Sequence, residues 1–164
     1  MSRTRAEGRL EVRHTVDAPL DDVFDAWIEP RLLETWWGPE GYQTVVEKLE
    51  ARAGGRFIFQ MTAPSGASCP MTGTYIEVHR PTSLSFEVAD HCVADMPDTV
   101  RSPSRPSRVD IRFEAKGDKT DIVLVQTGLA LDYQMLAQIG WGQSLERLRR
   151  SQWISTGVAE DCSR

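Results

Sequence analysis

Six β-rich stretches follow one another between Tyr42 and Thr127, and one long helical stretch comes after them. The runs are "YQTVVEKLEAR", "GRFIFQM", "CPMTGTYIEV", "SLSFEVA", "RVDIRFEA" and "DIVLVQT", each bounded by Gly, Pro, Ser or Asp. Spacers as short as "AGG", "HRPT" and "KGDK" leave room only for hairpins, so the strands run antiparallel. A sheet with one apolar face must bury that face, and residues 131–154 are the only long element available to cover it.

Ahead of these runs, Leu10, Val12, His14 and Val16 alternate with polar residues and predict a first strand over residues 9 to 16. Two short helices come next. Leu20, Val23, Phe24 and Trp27 recur at helical spacing after Pro19, with Asp21 and Asp22 placed for the positive helix end. Pro30 stops that helix, and "RLLETWW" reads as the second, with Leu32, Leu33 and Trp36 on its apolar side. In the terminal helix Asp132 stands where an N-cap is expected, and Met135, Leu136, Ile139, Leu145 and Leu148 form its apolar stripe. The fold class is therefore α+β: a curved seven-stranded antiparallel sheet gripping a long C-terminal helix, with two short helices between strands one and two. At 164 residues this is a single domain with its core over about residues 9–153. A helix gripped at its middle leaves concave gaps at its ends, the usual form of a small-molecule pocket.

Four stretches carry a resemblance to a known family. They are "VDAPLDDVFDAWIEPRLLETWWGPEGY", "EARAGGRFIFQM", "MTGTYIEVHRPTSLSFE", and Gly140-Trp141 followed by Leu145 and Leu148. In this order they resemble the helix-grip superfamily of START-like (SRPBCC) domains, and within it the branch named for activators of the 90-kDa heat-shock-protein ATPase. The resemblance implies a cavity between sheet and helix suited to apolar or aromatic ligands, and through its name a tie to the stress response. In the eukaryotic co-chaperone a separate N-terminal domain contacts the chaperone, so a chaperone partner is the weaker expectation for 164 residues. Relatives in the superfamily cyclise polyketides, carry lipids or bind hormones, so the fold alone does not choose the activity.

Candidate ligand-contacting residues follow from the inward rows. Phe57, Phe59 and Met61 alternate on one strand; Met71, Gly73 and Tyr75 on the next; Leu84, Phe86 and Val88, then Val109, Ile111 and Phe113, on two more. From these rows Phe57, Phe59, Met61, Met71, Tyr75, Phe86 and Phe113 are the candidates. Core packing is the plainer role for most of them. Trp37 is expected over the pocket rim, with Trp36 packed into the sheet, so that the Trp-Trp doublet caps one end of the grip. Gln126 shares the register of Ile122 and Leu124 and places an amide in an apolar interior, where it needs a partner from protein, water or ligand. Trp141 and Leu145 complete the set from the helix. Gly73 in mid-strand fits either close approach of a neighbour or sheet curvature, the plainer of the two, and Gly140 in mid-helix is read as close contact with a strand.

Other chemistries find little support. His14, His79 and the His91-Cys92 pair show no metal-binding spacing, and no serine sits in a nucleophile elbow. No cofactor or metal is expected. Cys69, Cys92 and Cys162, odd in number and widely spaced, predict no disulfide framework and a reducing, cytoplasmic setting. A net charge of -5 disfavours nucleic acid and anionic membranes as partners, and no apolar run reaches the length of a membrane span. Arg147, Arg149 and Arg150 read as a solvated helix face, and residues 89–108 as a loop rich in Pro, Ser and Asp. Three functions stay open: a hydrophobic small molecule held in the cavity, a cyclase, dehydratase or hydrolase using the same cavity, and a protein-partner module, chaperone-associated or homodimeric.

Overall fold

The computed structural model describes residues 8–90 and 106–151. His91, Cys92, Arg101, Arg105, Cys162 and the end of the expected terminal helix, Trp153 included, lie outside the described residues, as does most of the expected loop 89–108.

The chain builds β1 (Gly8–Val16), α1 (Leu20–Ile28), α2 (Pro30–Leu33), β2 (Gln43–Leu49), β3 (Arg56–Thr62) and β4 (Ser68–His79). It continues through β5 (Ser83–Asp90), β6 (Ser107–Lys116) and β7 (Lys119–Leu129) to α3 (Leu131–Arg150). The seven strands form one antiparallel sheet in the order β1-β7-β6-β5-β4-β3-β2. This is the α+β helix-grip arrangement expected from the sequence. The inward rows pack as the two-residue period requires: Phe57, Phe59, Tyr75, Phe86, Ile111, Phe113, Ile122 and Leu124 are all buried.

Local details differ from the sequence-based expectations. Pro19 is the N-cap of α1 rather than a residue of its first turn. Helix α2 spans only Pro30–Leu33, so Trp36 and Trp37 lie in the turn that follows it. Helix α3 begins at Leu131 with Ala130 as its N-cap, which places Asp132 inside the first turn. Met135 and Ile139 are exposed, together with Leu131, so the expected apolar stripe is only partly the buried one. Leu145 and Leu148 of that stripe are buried as expected, and Tyr133 and Trp141 are buried with them. Cys69 is disulfide-bonded, where the cysteine count predicted no disulfide framework.

Aromatic side chains dominate the core. Trp27 meets Trp36 at 4.6 Å and Trp37 at 5.9 Å, both edge-on, and stacks on Trp141 at 6.1 Å between ring centroids. Such pairs add about 0.5–1.5 kcal/mol each beyond the area they bury. Trp36 also donates its indole N–H to the Ala26 carbonyl at 3.1 Å, tying the turn after α2 to α1. The doublet thus closes one end of the grip, and both rings are buried.

Gly142, on α3, has nothing within 4 Å of the position its Cβ would occupy. Glycine in a helix interior is less favourable than alanine by about 0.8–1.0 kcal/mol. Gly142→Ala is therefore expected to stabilise the fold by nearly that amount, raising Tm by about 2–4 °C per kcal/mol for a chain of this size. Thermal unfolding by circular dichroism measures it.

Candidate functional site

A half-open cavity of about 80 Å³ lies between α3, the sheet and the turn that carries the Trp doublet. Met61 on β3, Met71 on β4 and Gln126 on β7 form the sheet side. Tyr133, Gly140, Trp141 and Ser144 form the helix side, with Leu136 and Ala137 between them. The turn contributes Trp37, Gly38, Pro39 and Tyr42. No charged side chain is among these thirteen lining residues.

Each wall has a local cause. Met61 and Met71 sit on inward-facing strand positions of adjacent strands, where Phe59 pairs with Met71 and Met61 with Cys69. Thioethers at such positions fill irregular space and adapt to what enters it. Tyr133, Ala137, Gly140 and Ser144 repeat at spacings of three and four on α3, so one helix face looks into the cavity. Their small size, Tyr133 apart, is what leaves the space open. The expected strand contact at Gly140 is not found: a Cβ there would meet only Pro39 Cγ, at 3.8 Å.

Gln126 is the polar centre of the site. Its amide NH2 donates to Ser107 Oγ at 2.8 Å, and its carbonyl accepts the Trp141 indole N–H at 2.8 Å. All three side chains are buried. The buried amide predicted from register therefore finds its partners in the protein, and the network pins α3 to β6 and β7 at the cavity floor.

Tyr42 and Tyr133 are the two tyrosines that line the cavity. Burial, with the neighbouring Tyr42 adding to it, holds the Tyr133 phenol well above its ordinary value near 10. Tyr133 is thus a neutral hydroxyl at physiological pH rather than a base. Tyr75, inside the Phe57 and Phe86 cluster, is raised by burial alone. Both folded-state values lie above the unfolded one, so the stability they confer is complete below pH of about 10 and is lost as pH rises beyond it. Tyr75→Phe is expected to flatten that alkaline loss by up to about 1.4 kcal/mol per pH unit. Denaturant unfolding at several values above pH 10 measures the slope.

Of the eleven residues singled out from sequence, Trp37, Met61, Met71, Gln126 and Trp141 come together around this cavity. Phe57, Phe59, Tyr75, Phe86, Phe113 and Leu145 pack elsewhere in the core. Trp37 does more than overhang a rim: it is buried edge-on against Phe59 at 5.0 Å and Trp141 at 5.3 Å. Tyr42, Tyr133 and Ser144 were not foreseen. Helical spacing from Trp141 would have found Tyr133, Ala137 and Ser144.

Arg147 departs from the solvated face it shares in sequence with Arg149 and Arg150. Its Nη1 donates to the carbonyls of Gly38 at 2.9 Å, Pro39 at 3.0 Å and Trp37 at 3.3 Å. Partial burial lowers its pKa, though a guanidinium stays charged. Arg149 does hold the exposed position expected of it and pairs with Glu146. That hydrogen bond, assisted by His14 at 3.3 Å, pulls the Glu146 carboxyl down to about 2. Among the described residues no group of three or more His, Cys, Asp or Glu side chains is placed to hold a metal, and no helix is long and apolar enough to cross a membrane.

The family described as "Activator of Hsp90 ATPase homolog 1-like protein" matches residues 17–151. No curated protein matches the chain. Among solved structures, a Chromobacterium violaceum protein is similar with TM-score 0.74 at 22% identity, covering 87% of this chain and 96% of its own. The AHSA1 protein of Silicibacter pomeroyi gives TM-score 0.71 at 22% identity with the same coverages, 87% and 96%. A Staphylococcus epidermidis protein gives 0.73 at 20% identity, covering 96% of this chain and 95% of its own. At these identities the likeness establishes the fold.

Proposed function

The chain belongs to the family of Activator of Hsp90 ATPase homolog 1-like proteins, and we propose that it binds a small uncharged aromatic or apolar molecule in the cavity under α3. The observation that carries this reading is the lining itself. Two indoles, two phenols and two thioethers surround a half-open space without one charged side chain. A charged ligand group buried there would lose its water and gain no counter-ion, whereas a neutral ring exchanges water for aromatic and sulfur contacts. The open side leaves a polar tail of the ligand in solvent. The space of about 80 Å³ is matched to one ring or a short chain.

A thermal-shift panel of neutral aromatics such as indole and 4-methylphenol tests this. A ligand at 100 times its Kd stabilises by about 2.7 kcal/mol, a shift of several degrees for a domain of this size. Gly140→Leu, which puts a side chain into the cavity, is expected to abolish the shift. No shift from any neutral aromatic, or an undiminished shift in G140L, contradicts the reading.

A second reading, an enzyme acting on the bound molecule, draws on the neutral Tyr133 hydroxyl. Held in its protonated form, it is suited to donate a hydrogen bond to a ligand carbonyl or developing oxyanion. Tyr133→Phe that binds ligand unchanged and alters no product formed from it would leave that reading without its acid. The exposed row Leu131, Met135 and Ile139 on the far side of α3 supports a homodimer as a further possibility. Sizing across a concentration series tests it: a mass fixed at one chain argues against pairing.

A further inference from the structure

We propose that the segment Gly38–Gly41 is a gate on the cavity and that Arg147 is the positioning residue that holds it shut. This rests on the ligand-binding reading above. A space of about 80 Å³ is well below the roughly 300–1,000 Å³ of sites that enclose larger ligands, so anything bigger than a single ring requires a wall to move. The walls on β3, β4, β7 and α3 are parts of long hydrogen-bonded elements. The remaining wall is the turn between α2 and β2.

That turn is held to α3 by polar contacts. Arg147 reaches three consecutive carbonyls, Gln143 Oε1 accepts the Glu40 N–H at 3.0 Å, and Ser144 Oγ accepts the Gly38 N–H at 3.1 Å. Arg150 pairs with the Glu40 carboxylate at the solvent edge. Water can replace each of these bonds, and with residues 40 and 41 exposed and Gly38 without a side chain, the half-buried Pro39 ring is the apolar burial that opening the segment gives up. Gly38 at φ 106° and Gly41 at φ 88° bracket Pro39-Glu40, in backbone conformations that glycine both enters and leaves at low energy. Four residues of one helix thus hold a short segment between two glycine hinges, directly over the cavity. Among these residues Arg147 makes the most contacts with the segment.

A closed gate lowers apparent affinity and association rate by the fraction of time it is open. Stopped-flow binding of N-phenyl-1-naphthylamine, a neutral two-part aromatic too large for the closed space, measures this. Because the bound probe itself keeps the gate open, Arg147→Ala is expected to raise the association rate constant and tighten the apparent Kd by about tenfold each while the dissociation rate constant stays nearly the same, and Arg147→Lys to restore part of the difference. Native-state hydrogen exchange separates gating from general loosening. The Gly38 and Glu40 amides should exchange about tenfold faster in R147A while the β7 amides are unchanged. If R147A binds the probe at rates within about twofold of the wild type, or if all amides accelerate together, the gate is overturned while the cavity reading stands. If neither protein binds the probe and the neutral aromatics above give no shift, both fall. Should R147A fail to fold, Gln143→Ala with the same two readouts decides the matter in the same way.

Discussion

Replacing Gly73 by alanine is expected to destabilise the protein by about 3 kcal/mol or more, at the upper end of what overpacking does. A Cβ at this position would lie 2.1 Å from the Glu87 carbonyl oxygen and 2.4 Å from Phe57 Cζ. The Phe57 ring could turn aside, although it is stacked on Phe59 at 4.8 Å and meets Phe86 edge-on. The carbonyl belongs to the backbone of the neighbouring strand and cannot. The sheet itself must therefore shift, at a point where the β4–β5 register already steps between Thr72 and Gly73. Close approach of a ring and a carbonyl, more than sheet curvature, accounts for glycine here. Equilibrium urea unfolding measures the effect, and Gly142→Ala in the same assay is expected to change stability in the opposite direction. Equal effects at the two positions would mean that what a methyl group meets does not decide the outcome.

Trp141→Ala is expected to cost more still. Truncating a buried tryptophan destabilises by about 3–5 kcal/mol through lost burial and the cavity left behind. Here the Gln126 carbonyl also loses the indole N–H it accepts at 2.8 Å, adding about 0.5–1.5 kcal/mol for the lost hydrogen bond. Trp141→Phe separates the two parts, since it keeps a ring beside Trp27 and Trp37 and removes only the N–H donor and some volume. The expected order of stability is wild type, then W141F, then W141A, by denaturant unfolding. W141A is also expected to enlarge the cavity and be rescued by indole, which returns the missing ring. Loss of stability without any rescue at saturating indole would separate Trp141 from the ligand space.

Much of this was legible because side-chain periodicity reports which face of an element is buried. The rows through Phe57 and Phe59, Tyr75, Phe86, and Ile111 and Phe113 alternate as half-buried strands do, and all are inward. Gln126 could be singled out because its register put an amide among Ile122 and Leu124. Helix α3 was harder. It carries one apolar row through Leu131, Met135 and Ile139 and another through Tyr133, Trp141, Leu145 and Leu148. Hydrophobicity favours neither, and the buried row looks weaker because Ala137, Gly140 and Ser144 interrupt it. Those small residues are the ones that make room for the cavity. Arg147 was hidden for another reason: its partners are backbone carbonyls over a hundred positions away, and carbonyls leave no mark on a side-chain pattern. Gly73 fitted two explanations, and only the position of Phe57 and of the Glu87 carbonyl selects between them.

The central claim is that Met61 and Met71 face a space that receives a neutral aromatic molecule, while Met135 faces solvent. Methyl-13C methionine spectra recorded during an indole titration test it most directly. The account predicts that the Met61 and Met71 methyl resonances move together and saturate, with ring-current shifts from the bound indole, and that Met135 stays in place. Met61 and Met71 resonances that remain fixed at saturating indole, or that drift without saturation in step with Met135, would contradict it.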